Sequence, residues 1–292
     1  LITLLLLTAV PSVAQTLRVQ AANGEASISA RLGEVVRVEV FANLSSFSAS
    51  GMALFLRLPT EPFQIVDANP DIDGVQPFLP AALFRGANEF ANRAVPSAQT
   101  PDLLDGTHLL EYQLIFGSGE NREHTGSGAI ATFSLLCVRT VEEATVRLYS
   151  SPINQSRLLL ADGNERPLFN GGELSIAVRA IKLKDIPDLN LLPGQIDSSR
   201  IGRLDRFLLD NRAQPDSLRW SFSGFDIDSL NVQIGPDRRV RVQPLPGWTG
   251  KRRITWTVSE PRAAIPGQAP PSASDISDII VNTPPRFRTR RD

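Results

Sequence analysis

Short runs in which apolar and polar residues alternate, separated by turn residues, dominate this chain of 292 residues. Clear examples are Val35–Phe41, which reads Val-Val-Arg-Val-Glu-Val-Phe, and the longer run Gly128–Val138. Successive side chains of a strand point to opposite faces of a sheet, so a period of two predicts strands with one buried face. Many short strands with turns between them are typical of sandwiches and jelly rolls. We therefore predict an all-β protein.

The alternation predicts two successive sets of strands. The first set covers residues 26–32, 35–41, 52–58, 63–66, 109–116, 128–138, 144–150 and 172–178. The second set covers residues 189–192, 206–209, 217–223, 230–234, 239–244, 253–258 and 276–281. Residues 67–105 are rich in proline, which predicts a long irregular segment that covers one sheet face. Within it, residues 80–84 predict a short helical turn.

The first fourteen residues predict a secretory signal peptide that is truncated at its N-terminus. Leu1–Val10 is an apolar run, Pro11 breaks it, and Ser12 and Ala14 occupy the −3 and −1 positions of a small-residue cleavage site. The run is too short to span a bilayer, which takes about 20 apolar residues, and no later stretch approaches that length. We expect an extracytoplasmic protein, either secreted or held at the cell surface.

Cys137 is the single cysteine, so no disulfide can form within the chain. It lies in a predicted strand on the same face as Ala131, Phe133 and Leu135. Free cysteine packs as a small apolar residue. We predict a buried thiol in the core.

The formal net charge is −1, which gives the whole molecule no bias toward nucleic acid or an anionic membrane. Residues 283–292 form an exception, because four of the last seven residues are arginine. This segment has little aromatic content for base stacking, so we predict a basic linker or tail and no nucleic-acid partner.

The residues that catalysis and metal binding use are sparse. His108 and His124 are the two histidines, and neither has a second histidine at the spacing of a helical metal site. The sequence also lacks a phosphate-binding loop and a nucleophile elbow. We predict a protein that is not an enzyme. A pair of carboxylates brought together by folding would instead support glycoside cleavage.

One acidic segment has the spacing of a calcium loop. It places oxygen-bearing side chains at every second position, in Asp67, Asn69, Asp71 and Asp73. Counted from Asn69, Gly74 falls where a calcium loop needs glycine, but Pro80 stands where the bidentate glutamate belongs. Calcium binding and ordinary acidic turn chemistry both remain open.

Four motifs of the first set of strands belong together. They are Leu32-Gly-Glu-Val-Val-Arg-Val-Glu-Val, Gly51-Met-Ala-Leu-Phe-Leu-Arg-Leu, Gly126-Ser-Gly-Ala-Ile-Ala-Thr-Phe-Ser-Leu and Asn170-Gly-Gly-Glu-Leu-Ser-Ile. With these motifs, residues 17–179 resemble a cohesin-type domain, the jelly-roll module of bacterial scaffolding proteins. The resemblance implies a dockerin-like protein partner that docks on one sheet face, with strand 109–116 as a contributor. It also implies that Gly171 or Gly172 lets the final strand turn back into the sheet. The same fold serves carbohydrate-binding modules, so polysaccharide is the other implied partner.

The second set of strands contains three motifs built around tryptophan. They are Leu218-Arg-Trp-Ser-Phe-Ser, Pro246-Gly-Trp-Thr-Gly and Ile254-Thr-Trp-Thr-Val. With these motifs, residues 183–282 resemble the cadherin-like and dystroglycan-type immunoglobulin-like modules of bacterial surface proteins. The resemblance implies a smaller β-sandwich in which Trp220 packs in the core and the Gly-Trp-Thr-Gly turn places Trp248 against the end of the sandwich. Core packing is also what we expect of the tryptophans from their apolar rings, Trp256 included. The resemblance further implies calcium at the junctions between modules.

Together these observations predict an exported bacterial binding or scaffolding protein without catalytic activity. The cohesin-like module is the recognition module, and the immunoglobulin-like module is a spacer. The alternatives are a protein that binds carbohydrate and a purely structural adhesin of the cell surface.

Overall fold

The computed structural model describes residues 16–44, 47–101, 103–104, 106–117, 125–209, 218–261 and 269–283. In these ranges the regular structure is β-strand apart from three short 3₁₀ helices, so the predicted all-β class is confirmed. The predicted signal peptide (residues 1–14) and nearly all of the basic tail lie outside the described residues. Two compact units divide the chain: unit 1 takes residues 1–30 and 34–179, and unit 2 takes residues 31–33 and 180–292.

The described part of unit 1 is built from fourteen strands. They are β1 (Thr16–Ala21), β2 (Ser27–Arg31), β3 (Val35–Asn43), β4 (Ala49–Pro59), β5 (Phe63–Ile65), β6 (Phe78–Pro80), β7 (Asn88–Pro96), β8 (Thr107–Ile115), β9 (Ser127–Cys137), β10 (Val141–Leu148), β11 (Arg157–Leu160), β12 (Glu165–Pro167), β13 (Phe169–Gly172) and β14 (Leu174–Arg179).

These strands form two sheets that share one core. The smaller sheet has the order β13-β1-β3-β9-β5, with β6 also paired to β9. In the larger sheet β4 is central: β8 and then β7 lie on one side, and β11 with β12 and β10 with β14 and β2 lie on the other. Val38 and Val40 of the smaller sheet and Leu54 and Leu56 of the larger are fully buried in the common core. Unit 1 is therefore a β-sandwich of two sheets, because alternate residues of both sheets bury one face.

The chain crosses from the smaller to the larger sheet at two glycines. Strand β13 runs parallel to β1, and β14, which follows it directly, pairs with β10 in the other sheet. Gly172 has φ of 154°, a conformation that favours glycine. A Cβ atom on Gly171 would lie 2.9 Å from the Cβ of Thr16. Both glycines are needed, the first for close approach and the second for its backbone angle.

The segment predicted as an irregular excursion is more regular than expected. The predicted helical turn is confirmed as a 3₁₀ helix at Ala82–Phe84. The expectation for the residues after it was wrong, because β7 (Asn88–Pro96) pairs along its length with β8. The register of β7 against β8 shifts between Glu89 and Ala91, which interrupts the alternation of buried and exposed residues. The strand therefore lacks the sequence pattern by which the others were predicted.

Cys137 is fully buried in the core of unit 1, as predicted. Burial, with a smaller contribution from Glu34, raises the pKa of the Cys137 thiol to about 12. The unfolded thiol ionises from about pH 9, so the unfolded state loses a proton that the folded state keeps.

We expect part of the stability to be lost as pH rises from about 9 to about 12 and this part to disappear in Cys137→Ala. Urea denaturation of both proteins across this pH range measures the loss of stability, and parallel pH profiles of the two proteins would contradict the prediction.

A thiol reagent should label Cys137 in guanidinium but not in the folded protein at neutral pH.

Unit 2 contains β15 (Leu189–Leu191), β16 (Arg219–Ser223), β17 (Leu230–Ile234), β18 (Val240–Pro244), β19 (Gly250–Ser259) and β20 (Ser272–Val281). Four of them form a sheet in the order β15-β20-β19-β16, and β17 pairs with β18. The likeness of this unit to immunoglobulin-like modules stays a prediction.

The core of unit 2 contains a 3₁₀ helix where a strand was predicted. The strand expected at 206–209 was wrong, because Leu204–Phe207 is a 3₁₀ helix. Leu204, Phe207 and Leu208 are buried at a helical rather than alternating spacing. Trp256 is fully buried as predicted, and Trp220 and Trp248 are half-buried and pack against the same core.

Candidate functional site

The side of the larger sheet that faces away from the core carries its own cluster of apolar residues. Along β4 and β8, one set of alternate side chains belongs to the core and the other set points outward. We call the outward side the outer face. Its apolar cluster is separate from the core and consists of Ala53, Phe55, Leu103 and Leu109, with Val95 and Tyr149 packed against it.

The strand register arranges the outer face in cross-strand rows. Phe55 stands opposite Glu111, which stands opposite Arg93. In a neighbouring row, Ala53 stands opposite Gln113. Residues directly opposite each other on one face of a sheet lie within contact distance. Strand 109–116, predicted as a contributor to docking, therefore supplies the middle of this face.

Glu111 is the buried charge of the outer face, with 6% of its surface exposed. Its Oε2 accepts a hydrogen bond from Nε of Arg93 at 2.6 Å, and its Oε1 accepts one from Nε2 of Gln113 at 2.5 Å. A buried carboxylate is tolerated when its oxygens are satisfied in this way. The pair fixes the side chains in the middle of the face.

We expect Arg93→Gln to lower the free energy of unfolding of unit 1 by about 1 kcal/mol, since it leaves Glu111 without its counter-charge. The effect is small for a buried carboxylate because the Arg93 side chain is 63% exposed and screened by water. Urea denaturation followed by circular dichroism measures it. The double variant Arg93→Gln/Glu111→Gln should recover most of the loss, and a double variant that is less stable than Arg93→Gln would contradict the assignment.

A shallow groove of about 220 Å³ lies on the outer face. Ala53, Gln113 and Ile115 line it, together with Phe90 of β7 and the Arg157–Glu165 ion pair, whose atoms are 3.3 Å apart. Pockets for small ligands are larger, at about 300–1,000 Å³. The groove is therefore a shallow indentation in the protein surface and does not enclose a small molecule.

Exposed apolar side chains are found on the segments that border this face. Phe90 on β7 is 72% exposed, Leu104 in the loop before β8 is 59% exposed, and Ile153 in the turn between β10 and β11 is 66% exposed. Leu103 and Tyr149, which adjoin the last two segments, belong to the apolar cluster of the outer face. The cluster itself is buried, so Phe90, Leu104 and Ile153 are the apolar side chains that a partner can reach.

The acidic segment predicted as a calcium loop forms a capped turn. Oδ1 of Asp67 accepts hydrogen bonds from the backbone N–H groups of Asn69 at 3.0 Å and Gln76 at 3.1 Å. Asp71 and Asp73 are exposed. Among the residues that the structure describes, no three His, Cys, Asp or Glu side chains gather around a position for a metal ion. Turn capping accounts for Asp67, and calcium binding at this loop stays a prediction.

Comparisons with known proteins return matches among solved structures. No protein-family model matches the chain, and no curated protein matches it. A non-cellulosomal cohesin from Archaeoglobus fulgidus matches with 10% identity and a TM-score of 0.38, over 57% of this chain and 92% of that one. A type II cohesin domain from Acetivibrio cellulolyticus matches with 12% identity and a TM-score of 0.42, over 56% and 95%. A type I cohesin–dockerin complex from Clostridium thermocellum matches with 10% identity and a TM-score of 0.37, over 56% and 99%.

Within the described ranges, no helix has both the length and the apolar character that crossing a membrane requires.

Proposed function

We propose that the chain is a non-catalytic binding protein in which the outer face of the larger sheet of unit 1 docks a protein partner. The observation that carries the proposal is the set of exposed apolar residues Phe90, Leu104 and Ile153, which border an outer face with its own apolar cluster. Patches of this kind mark interaction sites on soluble proteins. The sequence resemblance to cohesin-type domains adds the class of partner, a dockerin-like module.

Sugar binding is the less supported alternative. Sugar platforms use exposed, coplanar aromatic rings. In the described ranges, the aromatic side chains with high exposure are Phe90, on β7 of the larger sheet, and Phe169, on β13 of the smaller sheet. The two rings belong to different sheets and do not form a common platform.

Phe90 and Phe169 provide a matched test of the docking face. Dockerin modules encoded in the same genome are immobilised one by one, and binding of the intact chain is measured by biolayer interferometry. We expect Phe90→Asp to weaken binding about tenfold or more, because it places a charge in the apolar part of the interface. Phe169→Asp, on the other sheet, should bind like the original protein.

Two outcomes would overturn the proposal. If no dockerin binds and the chain is retarded in gels that contain polysaccharide, the carbohydrate alternative replaces it. If Phe169→Asp weakens dockerin binding and Phe90→Asp does not, docking uses the smaller sheet.

The proposal includes export from the cytoplasm, which is supported by the apolar run Leu1–Val10 and the small residues Ser12 and Ala14. Fusion of residues 1–20 to a reporter enzyme that is active outside the cytoplasm, with an added start codon and basic n-region, tests it. Substitution of Ala14 by a large residue should block cleavage, and an uncleaved, cytoplasmic reporter with Ala14 intact would contradict export.

A further inference from the structure

Two arginines stand directly opposite each other on the outer face. The register pairs Arg57 of β4 with Arg147 of β10. Both side chains are half-buried. Like charges at directly opposite positions of neighbouring strands destabilise a sheet. An arrangement of this kind calls for a compensating negative charge.

The described residues supply little negative charge to compensate the positive charges of Arg57 and Arg147. Neither Arg57 nor Arg147 forms an ion pair with a carboxylate of the described part of the chain, whereas Arg93 and Arg157 on the same face do. Glu173 acts on Arg57 at longer range, and its own Oε1 accepts a hydrogen bond from Nδ2 of Asn170 at 3.2 Å. Burial, followed by the charge of Arg147, lowers the pKa of Arg57. The two guanidinium groups therefore keep donors for an external acceptor.

The surroundings of the arginine pair suit a specific ligand. Arg57 adjoins the apolar cluster, because Leu109 stands opposite it on β8 and Phe55 lies two residues before it on the same face. The hydroxyl of Tyr149 is buried and, among the described residues, has no hydrogen-bond partner. This hydroxyl also interacts electrostatically with Arg57. The guanidinium of Arg57 and an unsatisfied hydroxyl thus lie beside the apolar cluster of the outer face.

We propose that Arg57 and Arg147 form a subsite for a carboxylate of the docked partner, so that the outer face selects a protein segment with an acidic residue next to an apolar one. The inference rests on the proposed docking function and adds the chemistry of the partner. Guanidinium groups bind carboxylates with two parallel, charge-assisted hydrogen bonds. A carboxylate between the arginines removes their repulsion, and an apolar side chain beside it lies next to the apolar cluster that Arg57 adjoins.

The test uses two small peptides as probes and the full chain with isotope-labelled arginine side chains. N-acetyl-Asp-Leu-amide is titrated against the protein, and the Nε–Hε signals of Arg57 and Arg147 are followed by NMR. We expect saturable shifts of both signals, and about tenfold weaker binding of N-acetyl-Asn-Leu-amide, which lacks the charge. Arg57→Gln should remove the saturable shift of Arg147, and Arg147→Gln that of Arg57. Arg219→Gln, on an exposed position of unit 2, should change neither.

Thermal unfolding shows whether the variants remain folded. Removing one of two opposed arginines relieves repulsion, so we expect Arg57→Gln and Arg147→Gln to melt no lower than the original protein. Equal binding of the two peptides, or no saturable shift with the acidic peptide, would overturn the carboxylate subsite.

The outcomes for the subsite and for docking are separable. If a dockerin binds in a manner sensitive to Phe90→Asp but the acidic peptide gives no saturable shift, the subsite is wrong and the docking function stands. If the acidic peptide binds the arginine pair but no dockerin binds, the subsite stands and the dockerin-type partner is wrong.

Discussion

Replacement of Trp256 by alanine is expected to lower the free energy of unfolding of unit 2 by about 3–5 kcal/mol. The indole ring is fully buried in the core and packs against Phe222 in a T-shaped arrangement, with 6.1 Å between ring centroids. Its Nε1–H donates to Oγ of Ser277 at 3.0 Å, and this hydroxyl donates in turn to the carbonyl of Ile186 at 3.0 Å. The variant leaves a large cavity and a buried hydroxyl without its donor. Since small domains are stable by about 5–15 kcal/mol, unit 2 becomes marginal or unfolds.

Tryptophan fluorescence reports on unit 2 alone, because all three tryptophans of the chain lie in it. Urea denaturation followed by this signal therefore measures the change, with Trp220 and Trp248 remaining as reporters. Trp256→Phe keeps most of the ring volume and should cost clearly less than alanine. Thr255→Ala, one residue away on the other side of the strand, should stay within about 0.5 kcal/mol of the original protein. A loss in Trp256→Ala no larger than in Thr255→Ala would show that the ring is not a core residue.

Strands were predictable from the sequence where one face is apolar and the other polar. The alternation in Val35–Phe41 marked β3 (Val35–Asn43) because every second residue enters the core. The same pattern marked β9 and placed Cys137 on its buried face. In such strands a one-residue shift would expose the whole apolar set, so the pattern determines which face is buried.

Prediction failed where the buried residues do not follow this period. In β7 a shift of register interrupts the alternation, and Asn92, a polar residue, occupies a buried position. At Leu204–Phe207 the apolar residues follow a helical spacing within a short segment, which is ambiguous between strand and helix. In both segments, tertiary contacts determine the secondary structure, and the local sequence pattern carries no information about those contacts.

The candidate site was predictable only in its central strand. The resemblance to cohesin-type domains assigns residues 109–116 to docking, and that role stays a prediction. The opposition of Arg57 and Arg147 depends on the pairing of β4 with β10, two strands that are distant in sequence. Because long-range register is a property of the folded sheet, the arginine pair could not be found from spacing along the chain.

Replacement of Asn92 by alanine is expected to lower the free energy of unfolding of unit 1 by about 2–4 kcal/mol. The Asn92 side chain is buried and satisfies both backbone groups of Phe78: its Oδ1 accepts from the N–H at 3.0 Å, and its Nδ2 donates to the carbonyl at 2.9 Å. These bonds connect β7 of the larger sheet to β6 of the smaller sheet. They hold the Phe78 ring against Tyr112 at 4.8 Å and Phe133 at 5.2 Å between centroids. Alanine leaves two buried backbone groups unpaired, each of which costs about 1–3 kcal/mol.

Urea denaturation followed by circular dichroism measures the loss, and hydrogen exchange locates it. The amide of Phe78 should exchange much faster in Asn92→Ala, because its acceptor is gone. Asn92→Asp separates the two bonds, since a carboxylate still accepts from the Phe78 N–H but cannot donate to its carbonyl. We therefore expect Asn92→Asp to keep protection of the Phe78 amide while it loses stability. Asn88→Ala, at an exposed position of the same strand, should leave both measurements unchanged. If Asn92→Ala leaves both the stability and the Phe78 exchange rate unchanged, this side chain does not connect the two sheets.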